Sequence, residues 1–165
     1  MSHAHRLVHH FGGDILRSEG MQREKHFRQH GTVSVYAHSL AVALLCVKIA
    51  SRLPVKTDTR SLVRGALLHD YFLYDWHDKT ALANRQRLHG FHHPLTALRN
   101  AEKEYKLNNV QRDIIRKHMW PLSVVPPMCR EAWVVTTADK YCSLMETLKL
   151  HKGHGKKGGL HAGNL

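Results

Sequence analysis

The sequence predicts an all-α protein. Three observations carry that reading. Apolar residues recur at helical rather than strand spacing in nearly every segment, and capping residues and prolines punctuate those segments where helices should start or stop. No convincing run of alternating strand residues interrupts them.

Taken in chain order, His3 to Arg17 and Met21 to His30 read as one or two helices. Ser34 to Leu53 is the clearest helix, apolar along most of its length, with Pro54 just beyond it as a stop. Thr59 to about Tyr74 follows, with Asp58 or Thr59 as N-cap. Pro94 opens a helix to about Tyr105, a place where the missing N–H is tolerated. Asn108 or Asn109 caps a short helix that ends near His118. A Pro-rich connector, Trp120 to Pro127, precedes a last helix from Cys129 to Leu150. The VVTT run at 134–137 lies inside that longer 3.6-period pattern and reads as helix. The sum is about six helices, without an internal repeat.

Length and composition set the class. The chain has 165 residues, enough for one domain with one core, and is 42% hydrophobic and 23% charged, as globular chains are. The longest apolar run, Leu40 to Val47, falls far short of the ~20 residues a membrane helix needs. The opening MSHAHRLVHHFGG carries no apolar secretory core. Cys46, Cys129 and Cys142 form no CxxC pair and read as reduced thiols, which points to a cytoplasmic protein. The formal net charge is +12, which favours anionic partners. Three of those charges, Lys152, Lys156 and Lys157, lie in HKGHGKKGGLHAGNL, residues 151–165. That stretch has no apolar face and reads as a solvated basic tail on a domain spanning residues 1–150.

Histidine is the outlier, with 16 copies. Several fall on faces that should be buried. His38 shares a stripe with Val42, Leu45 and Ile49, and Asp139 lies in line with Ala132, Val135 and Cys142. His69 and Asp70 end the apolar run GALL. A carboxylate on a core-facing stripe is costly unless a cation or a hydrogen-bond donor meets it. A metal ion satisfies imidazole and carboxylate together. Side chains of adjacent helical residues diverge by about 100°, so His69 and Asp70 can straddle an ion against the helix flank. With His38 and Asp139 they form a His/His/Asp/Asp set that leaves room for water. Such a set suits iron, manganese or another divalent transition ion better than a closed zinc site.

This order, His38, then His69-Asp70, then Asp139 in TTADKY, resembles the HD-domain metal-dependent phosphohydrolases. HHPLTAL at 92–98 resembles the His-Pro helix start of the dinuclear HD subgroups, and IIRKHMW at 114–120 the helix end that supplies a further histidine. The resemblance implies an HD-type helical bundle in which His38, His69, Asp70 and Asp139 hold one metal. It implies that His93 and His118 hold a second, with Asp70 bridging. Met119 stands where the paired histidine of the HD-GYP cyclic-dinucleotide phosphodiesterases would fall, and there is no GYP segment, so that activity is not expected.

Secondary candidates surround this set. His92 is the alternative to His93, and His30 is placed to face the site from the preceding turn. Lys140, Lys117, Arg64, Lys79, Arg85 and Arg87 are candidates for a phosphate-facing rim, and Asp75 or Asp78 for an acid or base. Asp70 and Lys140 are the residues read as catalytic. The function expected is hydrolysis of a phosphomonoester or phosphodiester, with a nucleotide or other phosphorylated small molecule as substrate and metal-activated water as nucleophile. Two other classes stay open: a nucleotide- or nucleic-acid-binding module with a structural metal, and a di-iron HD-fold oxygenase.

Overall fold

The structure is a computed structural model that describes residues 1–30, 32–74 and 89–154. In chain order it forms α1 (His3–Arg17), α2 (Glu19–Arg23), β1 (Arg28–His30), β2 (Val33–Ser34), α3 (Val35–Ala50), α4 (Thr59–Leu68), α5 (His89–Glu104), α6 (Asn109–Lys117) and α7 (Arg130–His154). The mostly helical architecture matches the sequence reading. Among the described residues no helix is long and apolar enough to cross a membrane. The three cysteines are free thiols.

Short polar side chains set the helix starts. Ser2, Ser18, Ser34, Asp58 and Asn108 each accept a backbone N–H of the first turn that follows. Such caps contribute about 0.5–2 kcal/mol apiece. At α6 the bond is reciprocal, since the Gln111 side chain accepts from the Asn108 N–H.

Helix α4 is the central strut, in contact with α1, α3, α6 and α7. Its Leu62, Val63, Ala66, Leu67 and Leu68 are wholly buried. Removing each large side chain among them from water is worth about 1.5–3 kcal/mol. Gly65 lets α6 come close: a Cβ there would meet the Ile114 Cβ at 3.0 Å. The core continues through Val42, Cys46 and Val47 of α3 and Ala132, Val135 and Ala138 of α7.

Besides α3, which ends at Ala50 rather than Leu53, four stretches differ from the sequence expectation. The stretch expected to be helical from Met21 to His30 is instead the short α2 and an antiparallel hairpin, β1 with β2, paired Arg28 to Ser34 and His30 to Val33. The chain leaves the helix at Glu24, and the Phe27 carbonyl then accepts from Val35 N–H. Helix α4 stops at Leu68 rather than near Tyr74. There Tyr71 and Phe72 turn into the core, while Asn100 Nδ2 donates to both of their carbonyls at 3.2 and 3.1 Å. Helix α5 begins at His89, so Pro94 sits inside it rather than in its first turn. Helix α7 continues to His154, four residues into the stretch read as tail, and residues 155–165 lie outside the described residues.

Candidate metal centre

The end of α4 builds the middle of the site. Had the helix continued, His69 and Asp70 would point about 100° apart. His69 caps the helix with αR backbone angles, and just beyond it Phe72 N–H is bonded to the Asp70 carbonyl at 2.8 Å. The two side chains nonetheless reach one another, His69 Nε2 lying 3.3 Å from Asp70 Oδ2. His38 comes from the first turn of α3, His93 from α5, His118 from just past the end of α6, and Asp139 from α7. All six side chains are buried, three of the four histidines at 1% exposure or less.

They form two triads: His38 with His69 and Asp139, and Asp70 with His93 and His118. In the first, His38 Nε2 lies 3.0 Å from Asp139 Oδ1, and His69 Nε2 lies 3.7 Å from the same oxygen. In the second, Asp70 Oδ1 lies 3.2 Å from His93 Nε2 and 3.4 Å from His118 Nε2, which are 2.9 Å from each other. Asp70 belongs to both, because its Oδ2 lies 3.3 Å from His69 Nε2 and 3.8 Å from His38 Nε2. Ligand atoms bound to one transition ion at ~2.1 Å sit roughly 3 Å apart. The separations match that spacing, and each triad could hold a metal ion.

The donor chemistry fits as well. His69 Nε2 and Asp70 Oδ1 are sealed from solvent without a well-formed hydrogen bond. Such atoms are rare in a native interior unless something else satisfies them. Imidazole and carboxylate suit iron, manganese or zinc-like ions.

Electrostatics inside the cluster are extreme. Burial opposes ionisation of His38, yet Asp139 and Glu146 outweigh it and raise the imidazole to about 9. Burial likewise opposes charge on His69, and the Asp70 and Asp139 carboxylates carry it well above the usual histidine range. Burial would raise both aspartates, but the surrounding imidazoles hold Asp70 and Asp139 well below the usual carboxylate range. His118 goes the other way, lowered chiefly by burial. Without metal, imidazolium protons supply the positive charge that the two carboxylates demand.

The six residues expected from the sequence are therefore brought together. His92, the alternative to His93, is exposed. Lys140 follows Asp139, and its Nζ donates to the His118 carbonyl at 3.3 Å. Two members of the expected basic rim are engaged away from the centre. Arg64 is held by Asp14 at 2.7 Å and by the Phe11 carbonyl on α1, and Lys117 pairs with Asp113. Asp75, Asp78, Lys79, Arg85 and Arg87 lie outside the described residues, as does the His30 side chain.

Three polar residues near the cluster, two of them buried, escaped the sequence reading. Gln29 of the hairpin donates its Nε2 to Asp70 Oδ2 at 2.5 Å. Glu146 of α7 accepts from His38 Nδ1. Glu24 is wholly buried with no well-formed hydrogen bond to either carboxylate oxygen. Its carboxyl is raised well above the ordinary range by burial first and the Asp70 charge second. Of these, only Glu146 carries a sequence signal: it lies seven residues, two helical turns, beyond Asp139 on the same face.

A helical bundle that buries four histidines and two aspartates as adjoining triads is one in which each triad could hold a metal ion. The HD domain family matches residues 35–144, two thirds of the chain, and the protein belongs to that family. The match spans His38 through Asp139. No curated protein and no solved structure matches the chain significantly.

Proposed function

We propose that the protein is a metal-dependent phosphohydrolase that cleaves a phosphomonoester or phosphodiester of a small phosphorylated molecule, with a nucleotide as the first candidate. One observation carries the reading: the two triads meet at Asp70, whose two oxygens face different histidine pairs. HD domains are typically metal-dependent phosphohydrolases, and a shared carboxylate between two ion sites suits in-line displacement at phosphorus.

In this reading His38, His69, Asp70 and Asp139 hold one ion, and Asp70, His93 and His118 the other. Bound metal supplies Lewis acidity and lowers the pKa of its water toward ~7. The protein's own contribution is rigidity. Every ligand comes from a helix or from within two residues of a helix end, so the set is ordered before substrate arrives. Lys140, one residue from Asp139 on the exposed side of α7, is a cation available to a phosphoryl oxygen. The overall charge of +12 draws anionic substrates toward the protein.

The test is metal analysis of purified protein together with a screen of phosphorylated metabolites. The screen covers mononucleotides, nucleoside polyphosphates and dinucleotide phosphodiesters, under manganese, magnesium and anaerobic ferrous iron. Phosphate release that needs metal and proceeds without oxygen is the expected result. A mixed-valence iron pair with substrate-linked oxygen uptake would overturn it in favour of oxidative chemistry. Retained metal with nucleic-acid binding and no turnover would make the chain a binding module.

A further inference from the structure

The histidines of the cluster differ in how their outer ring nitrogens are held. His69 Nδ1 lies 2.7 Å from the Ala66 carbonyl, and His118 Nδ1 lies 2.9 Å from the Ile115 carbonyl. Both residues are helix C-caps, and both acceptors lie three residues back. The last four carbonyls of a helix have no partner within it, so these two oxygens are free to accept. His38 sits in the first turn of α3, where the carbonyl three residues back belongs to the helical ladder. Its Nδ1 looks outward to α7, where Glu146 Oε1 and Oε2 lie at 3.2 and 3.1 Å. The ring is wholly buried and the Glu146 side chain is 12% exposed, so water competes weakly for the bond.

We propose that Glu146 is the positioning residue of the first metal site: its carboxylate accepts the Nδ1 proton of His38 and directs the Nε2 lone pair toward the ion position that Asp139 and Asp70 also face. The inference rests on reading the two triads as metal sites. A carboxylate behind a ligating imidazole fixes the tautomer and makes the ring a stronger donor than a backbone carbonyl does. That anion comes from the same helix face that supplies Asp139, whereas His69 and His118 each lean on a neutral carbonyl. Glu146 touches no reacting atom, and its effect passes through His38.

The experiment uses the full chain, stripped of metal and titrated with Zn2+. Glu146→Ala should weaken the first site about 10- to 100-fold, the usual cost of losing such a partner. Glu146→Gln should cost less, because its amide oxygen still accepts from Nδ1 while the charge is gone. The site that needs His93 and His118 should keep its affinity in both variants. In the Zn2+-loaded wild type, nitrogen NMR of His38 should show a protonated Nδ1 and a metal-bound Nε2, a readout that depends on no variant. Wild-type zinc affinity in both Glu146 variants, with the first site lost in His38→Ala, would overturn the role of Glu146 and leave the metal reading intact. So would a His38 ring without a proton on Nδ1. A wild-type chain that takes up no zinc would overturn the metal reading itself, and this inference with it.

Discussion

His93 and His118, 25 residues apart in the chain and on different helices, bring their Nε2 atoms to 2.9 Å of each other. Two imidazoles meet this way only if one donates to the other or both lone pairs turn to a common cation. Asp70 Oδ1 sits 3.2 and 3.4 Å from the same two nitrogens and has no well-formed hydrogen bond of its own. An ion there would satisfy all three atoms at once. His93→Ala and His118→Ala should therefore each remove one metal equivalent per chain and spare the other. Elemental analysis checks it, and a single equivalent in wild type and variants alike would show a mononuclear centre.

Asp70 should be the least replaceable residue. Each of its oxygens faces a different pair of histidines. Asp70→Asn keeps the shape and removes the charge that both triads share. We expect loss of both metal equivalents and a fall in phosphate release of more than ~100-fold, beyond the cost of losing an outer partner. Full metal content with full turnover in the purified variant would refute the shared-ligand arrangement. The far-ultraviolet dichroism of the variant shows whether the bundle has survived.

Metal loading should depend on pH in a direction set by His38. Its imidazole is raised to about 9 in the metal-free protein, after Asp139 and Glu146 overcome burial. A ligating ring must shed its proton, so the affinity of the first site should fall about tenfold per pH unit below 9 for that proton. Stability runs the other way. The folded value lies above the unfolded one, so the proton on His38 stabilises the metal-free fold fully below pH ~6.5, and that contribution disappears as pH rises through 9. At about 1.4 kcal/mol per unit it amounts to a few kcal/mol. Thermal melts in chelator should drop between pH 6.5 and 9, and melts with saturating metal should hold nearly level. Parallel curves with and without metal would contradict this.

The polar residues visible in the sequence were those that broke an apolar pattern. His38 among Val42 and Ile49, His69-Asp70 after GALL, and Asp139 among Ala132 and Val135 each stand out because a core stripe frames them. Asp58 and Asn108 were legible as caps for the same local reason. Glu24 and Gln29 were hidden because MQREKHFRQHG is polar apart from Met21, Phe27 and the final glycine, and polarity there signals solvent. Only the hairpin, two strands of three and two residues, turns Gln29 onto Asp70. Strands that short carry no alternation to read. The stop of α4 at Leu68 was equally silent, since it depends on Asn100, 32 residues beyond Leu68, capturing two carbonyls. Arg64, a rim candidate five residues before His69 in the chain, is turned by helical phase to Asp14 on α1.

Glu24 leads to the last prediction. The residue is wholly buried, lacks a well-formed hydrogen bond, and its carboxyl is raised by burial and by the Asp70 charge, with the Leu73 backbone offsetting only part. A carboxyl raised in the folded state is a liability to the fold once the unfolded chain can ionise. The penalty is absent below about pH 4.5, grows as pH rises, and levels off only above the folded value. Glu24→Gln keeps the size and removes the charge. In chelator at pH 7.5 it should raise the melting temperature, by about 2–4 °C for each kcal/mol relieved in a chain of this length. At pH 4.5 the two proteins should melt together. Paired thermal melts at the two pH values decide the matter. A variant less stable than wild type at pH 7.5 would mean that the Glu24 charge is matched by a partner in the folded protein, and the liability assigned to it would be wrong.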